Sequence, residues 1–142
     1  MWKVVRSILA VIAGFVAASA VMMVIETVNG HVLNPELGKM AQGMTDREAI
    51  RALMASASIG AFLVVLFGWA LGSLVGGFLA AWIGRNTPVA HALVIGVFLT
   101  LAGIADNLML PPPTWFWISS LVVLLPAAYA GARLAPGTAT LE

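Results

Sequence analysis

Polar and apolar positions in this 142-residue chain alternate on one long scale, four apolar runs separated by polar connections. Val4 to Val28, Ile59 to Ile83, Val89 to Leu110 and Trp115 to Leu134 each reach the roughly 20 apolar residues that cross about 30 Å of hydrocarbon as a helix. Inside a bilayer a helix satisfies its own backbone hydrogen bonds, so the runs predict four transmembrane helices in one all-α membrane bundle, residues 1–140. Lys3 and Arg6 ahead of an apolar stretch, with Ala18-Ser19-Ala20 after it, outline a cleaved leader, but the run continues to Ile25 and reads as a first membrane helix. Leu141-Glu142, after Pro-Gly-Thr-Ala-Thr, reads as an expression-vector scar.

Three connections join the spans. Thr87 and Pro88 predict an N-cap and first helical residue, closing a tight hairpin between the second and third spans. Pro111-Pro112-Pro113 is a stiff spacer ended by Thr114 as the next cap. The long connection, His31 to Ser58, has turn signals at Asn34-Pro35 and Gly38 and a capping box at Thr45-Asp46-Arg47-Glu48. Ile50, Leu53, Met54 and Ala57 then recur at helical spacing, a short amphipathic helix that either lies on the outer surface or runs into the second span past Gly60. It would serve as an interfacial anchor or as a lid over the outer end. Trp115 and Trp117 fall where an interfacial aromatic belt belongs, with Trp2 and Trp82 at the opposite surface.

The second span carries the strongest pattern. Gly68, Gly72, Gly76, Ala80 and Gly84 recur every four residues, a smooth face on which another helix can pack closely. The first span has Ala10, Gly14 and Ala18 in line, and the third has Ala92, Gly96 and Gly103 on one side. These faces predict packing mainly within the chain, with self-association or another membrane protein as the alternative use.

Following those faces outward leads to the intramembrane polar groups. The first-span row continues through Met22 to Glu26, and the third-span row ends in Asp106 and Asn107. Glu26 and Asp106 are therefore expected to approach one another near the outer end, with Asn29 and His31 close by. Ionisable residues inside a span mark a functional site by default, and two adjoining carboxylates in an apolar setting favour sharing one proton. The competing reading has both as helix-end caps bonded to Asn29, Asn107 or loop amides. His91, a turn into the third span, is expected at the interface. Pro126 should kink the fourth span by freeing the Val122 carbonyl, with Ser119 or water filling the gap.

Composition narrows the function classes. Hydrophobic residues are 61% and charged ones 9%, so lipid must cover the outside, and a net charge of +1 provides no field for nucleic acid. Cysteine is absent, two histidines give no metal spacing, and no cofactor fingerprint or nucleophile with its base is visible. Neither metal nor cofactor nor enzymatic activity is expected. Lys3, Arg6, Arg85 and Arg133 fall on one side of an even number of spans, which the positive-inside rule makes cytoplasmic, with both termini inside.

Ala70-Leu71-Gly72 with Gly76 to Ile83, and Gly103-Ile104-Ala105 through Asn107, Met109, Pro111 and Pro113 to Trp115-Phe116, resemble a group of short uncharacterised bacterial four-helix inner-membrane proteins. That group has Asn directly after Gly-Ile-Ala, where this chain has Asp106 and then Asn107. The resemblance implies the four-helix fold and the bacterial inner membrane, and no activity. Two roles remain foremost: a non-catalytic scaffold or accessory protein whose glycine faces bind helices or lipid, and a proton- or cation-coupled permeation protein using Glu26 and Asp106.

Overall fold

The computed structural model describes residues 1–137, so the scar reading of Leu141-Glu142 lies outside the described residues. Helices α1 (Trp2–Val28), α2 (Pro35–Ala41), α3 (Arg47–Ser56), α4 (Ile59–Ile83), α5 (Pro88–Met109) and α6 (Thr114–Leu134) follow in order. Four of them, α1, α4, α5 and α6, are long and apolar enough to cross a membrane. The protein is an all-α membrane bundle.

The first span outruns its predicted end. A wide π-helical turn, Asn29–Leu33, extends α1, so the apolar rod reaches from Trp2 to Leu33. Asn29 causes the widening by holding the chain on both sides. Its Nδ2 donates to the Ala61 carbonyl on α4 at 3.1 Å, while its Oδ1 accepts from Asn34 Nδ2 at 2.7 Å and its carbonyl from the Asn34 amide at 2.7 Å.

The long connection differs from its turn signals. Asn34-Pro35 does not reverse the chain but starts α2, with Pro35 at a position where a missing amide hydrogen costs nothing. Gly38 lies inside α2, where it lets the helix press against Gly30; a Cβ there would strike the Gly30 carbonyl. The α3 cap is Asp46 rather than Thr45, since Asp46 Oδ2 accepts the Ala49 amide at 3.0 Å. α3 is separate from α4: Ala57 is extended and Ser58 caps α4 through the Ala61 amide at 3.2 Å. At α6 the cap position is Pro113, and Thr114 is already helical.

α4 is the central element, packed against α1, α6 and α5. On its α1 side, a methyl group added to Gly76 would stand 2.6 Å from the Gly14 carbonyl oxygen, and one on Gly14 would stand 2.7 Å from that of Gly76. Backbones touch there. Further along the same row, Gly72 meets both the Ala18 carbonyl and the Met22 side chain, and Gly68 meets Ile25, so side chains begin to come between the helices at Gly72. Gly84, last in the row, faces the ring of His91 and closes the α4–α5 hairpin instead of receiving α1. On α5, Gly96 meets Leu125 and Ala128 of α6, and Gly103 meets Trp69, Leu121 and Leu124.

A second seam joins α4 to α6. Ser73, Gly77 and Ala81 are buried against Leu124, Ala128, Gly131 and Ala132; a Cβ on Gly77 would strike the Ala128 backbone and one on Gly131 the Leu74 carbonyl. It shares the four-residue spacing of the first row, displaced by one residue. α6 runs unbroken through Pro126, and Ser73 Oγ donates to the Leu124 carbonyl at 2.6 Å. Ser119 does not serve the proline; it bonds the Trp115 carbonyl at 2.8 Å.

Lys3, Arg6, Arg85 and Arg133 occupy one end of the bundle, because α1 starts there, α4 passes to α5 there and α6 ends there. Arg6 Nε donates to the Ile83 carbonyl at 2.5 Å, a cation on the negative end of α4. His91 is buried at this end, its Nδ1 donating to the Thr87 carbonyl at 2.7 Å, so it packs the hairpin rather than the interface. Trp2 and Trp82 are exposed at the same end. At the other end Trp115 is exposed and Trp117 half-buried, while Phe116 between them turns inward.

Candidate functional site

The first-span row of small residues positions Glu26. Ala10, Gly14 and Ala18 are buried, Met22 covers Gly72, and one turn on Glu26 Oε1 accepts a hydrogen bond from Trp69 Nε1 at 2.8 Å. Trp69 lies about 15 Å along α4 from Ile59 at 1.5 Å per residue, so the bond lies well inside the span rather than at a helix end. The indole is 5% exposed, and a buried indole needs an acceptor for its N–H. Glu26 supplies it. Trp69 was not singled out from the sequence, although it is the one tryptophan away from the ends of the spans.

Outward from Trp69 runs a column of aromatic rings. Its ring stands 5.8 Å from Phe116, which stands 5.2 Å from Phe62, which in turn meets Trp115 edge-on at 6.0 Å. Such bulky rings cannot close as tightly as glycine rows. Two cavities open beside them.

The first cavity, about 260 Å³, lies between α1, α4 and α5 and is lined by Phe15, Met22, Trp69, Leu99 and Gly103 together with Glu26 and Asp106. The second, about 330 Å³, lies toward the outer end beneath α2 and α3, with Leu37, Met54, Phe62, Phe116 and again Glu26 and Asp106 in its wall. The two carboxylate residues are exposed and stand where the cavities adjoin. No lysine, arginine or histidine lines either space. Lys39 pairs with Glu36 at 3.2 Å on exposed α2, away from both spaces.

The remaining polar residues divide. Asn107 is 2% exposed and turns toward α6, its Nδ2 donating to Ser120 Oγ at 3.1 Å, while still lining the outer cavity. Asn29 lines the outer cavity too, with both ends of its amide spent on Ala61 and Asn34. His31 does not join the site. It is exposed, lines neither cavity and bonds the Thr27 carbonyl of its own helix at 3.0 Å, because two residues of helical advance from Asn29 turn it to the opposite face.

Chemically the arrangement is an acid pair with apolar walls and no basic partner in the lining. Two such carboxylates repel, and a proton or a cation between them relieves the repulsion. Neither protein-family models, nor curated protein sequences, nor solved structures yield a match to this chain.

Proposed function

We propose that this chain is a small multi-pass protein of the bacterial inner membrane that binds a proton or cation at Glu26 and Asp106 and carries it across the bilayer. The observation that carries this reading is that both carboxylates line both cavities, without a basic side chain in either wall. An acid pair held only for structure would be expected to end in capping bonds, yet among the described residues the only side-chain hydrogen bond of Glu26 goes to Trp69 on a neighbouring helix. A scaffold role is less well supported, because the glycine faces that would hold a partner are filled by helices of the same chain. No catalytic activity is proposed.

Reconstitution in liposomes tests this directly. The wild-type chain is expected to dissipate an imposed pH or cation gradient, and Glu26→Gln and Asp106→Asn to reduce the rate to that of empty liposomes. Wild-type liposomes as tight as empty ones, or variants as fast as wild type, would overturn the reading. The end bearing Lys3, Arg85 and Arg133 is proposed to be cytoplasmic. With cysteines placed singly at Asn86 and Gln42, an impermeant maleimide on cells with a permeabilised outer membrane should label only the latter.

A further inference from the structure

The outer cavity is lined by a residue with a polar atom that the fold does not use. Asn107 lines that cavity beside Asp106 and is 2% exposed. The orientation of its amide follows from its neighbours: Ser120 gives its hydroxyl hydrogen to the Trp117 carbonyl at 3.2 Å, so at the 3.1 Å contact Ser120 Oγ accepts and Asn107 Nδ2 donates. Oδ1 is then left with its lone pairs and no hydrogen-bond donor from the described side chains. A buried acceptor in that condition calls for an N–H or O–H from a ligand or from water.

The same wall carries Glu26 and Asp106, so the missing donor should also be cationic. Phe62, Val65, Leu110 and Phe116 make the rest of the wall apolar, and about 330 Å³ falls within the roughly 300–1,000 Å³ of small-molecule sites. A bare divalent cation suits this wall poorly, since calcium takes about 6–8 oxygen ligands and most of the lining offers carbon. A quaternary ammonium would satisfy the charge and leave Oδ1 unpaired.

We propose that the outer cavity binds a protonated amine with an apolar body, its ammonium hydrogens shared between Asn107 Oδ1 and the Glu26 and Asp106 carboxylates, its body against Phe62 and Phe116. This rests on the cation-binding reading above and gives it a ligand class. The covering helices α2 and α3, through Leu37 and Met54, close the apolar side of the space.

The test is equilibrium binding of radiolabelled phenethylammonium to the full chain in phosphatidylcholine nanodiscs, with empty nanodiscs subtracted. Binding should be saturable and displaced by hexylammonium, with hexyltrimethylammonium weaker by roughly tenfold, the value of one lost charge-assisted hydrogen bond. Phenylacetate and calcium should not compete. Asn107→Ala should narrow the preference for the primary amine to the part the carboxylates supply and leave the quaternary competitor unchanged, whereas Ser120→Ala, which keeps Oδ1, should preserve it in full. If Asn107→Ala does not fold, the wild-type preference alone decides. Absent saturable binding, equal displacement by the two ammonium ions, or displacement by calcium would overturn the inference. Should any of these occur while Glu26-dependent flux persists in liposomes, only the ligand class fails; if the flux is absent as well, the cation-binding reading fails with it.

Discussion

At the end of the bundle that carries Arg6 and Arg85, backbone meets backbone; toward the other end, side chains stand between the helices. Gly14 against Gly76 and Gly77 against Ala128 leave no room for a methyl group; Gly72 marks the changeover, meeting the Ala18 carbonyl and Met22 together, then Gly68 receives Ile25, and Trp69, Phe116 and Phe62 take up the space beyond. Closely packed glycine rows make one half a rigid clamp. Large rings cannot interdigitate to the same density, and the half that holds them keeps cavities, the acid pair and the buried amides Asn29 and Asn107. The candidate site lies where packing is coarse.

The sharpest way to break that contrast is a matched pair of methyl insertions. Gly77→Ala drives a Cβ into the Ala128 backbone, which cannot yield without moving α6, and should cost about 2–3 kcal/mol. At Gly68 the nearest atoms are Cγ2 and Cβ of Ile25, at 2.9 and 3.2 Å, side-chain atoms where Gly77 meets backbone, so Gly68→Ala should cost less, about 1 kcal/mol. Reversible unfolding in mixed detergent measures both. Equal losses would mean the two halves are packed alike.

How much of this could be read from the sequence follows from the same contrast. Hydrophobic length alone placed α4 at Ile59–Ile83 and the other spans to within a few residues, since a bilayer admits little else. The every-fourth-residue row at Gly68 to Ala80 was legible because it follows from helical period, and the same period put Glu26 within reach of α4, where it bonds Trp69 while staying exposed. The α4–α6 seam was hidden in plain spacing, its first member being Ser73 rather than a glycine. α2 escaped because Pro35 and Gly38 are turn residues in most settings; Pro35 fits the first helical position, and contact with Gly30 explains Gly38 inside the helix. The Trp69 bond to Glu26 joins residues 43 positions apart, and no local pattern encodes such a meeting.

Next in expected size is Asn29→Ala. The amide ties the π-helical turn to Ala61 on one side and Asn34 on the other, and its loss should cost about 2 kcal/mol if both bonds vanish from a buried position. The effect should be local. Amide exchange should accelerate over Asn34 to Ala41, with α4 to α6 unchanged. Exchange as slow as in the wild type would show that α2 is held by apolar contact alone.

Smaller again is the bond that fixes the acid pair. Trp69→Phe keeps a ring against Phe116 and removes the indole N–H, so Glu26 loses its donor. A double-mutant cycle of Trp69→Phe with Glu26→Ala should give a coupling of about 1 kcal/mol, within the range of interhelical hydrogen bonds in membranes. A coupling of zero would separate Trp69 from the site and make it a packing residue only.

The smallest effect expected is that of Ser73→Ala, and it tests what holds the clamp. Ser73 is fully buried and donates to the Leu124 carbonyl across the α4–α6 seam, two residues before Pro126. In water-poor surroundings that bond would be credited with much of the seam's stability. Measured interhelical bonds in membranes average only about 0.6 kcal/mol, because the separated helices find other partners for the same hydroxyl. Alanine is also small enough to leave the Gly77 and Ala81 contacts undisturbed. The loss should therefore be about 0.6 kcal/mol, well under that of Gly77→Ala one turn away on the same face. If Ser73→Ala proves the costlier of the two, the clamp is held by a polar bond at the proline rather than by close backbone approach, and the contrast between the halves of the bundle would rest on hydrogen bonding instead of size.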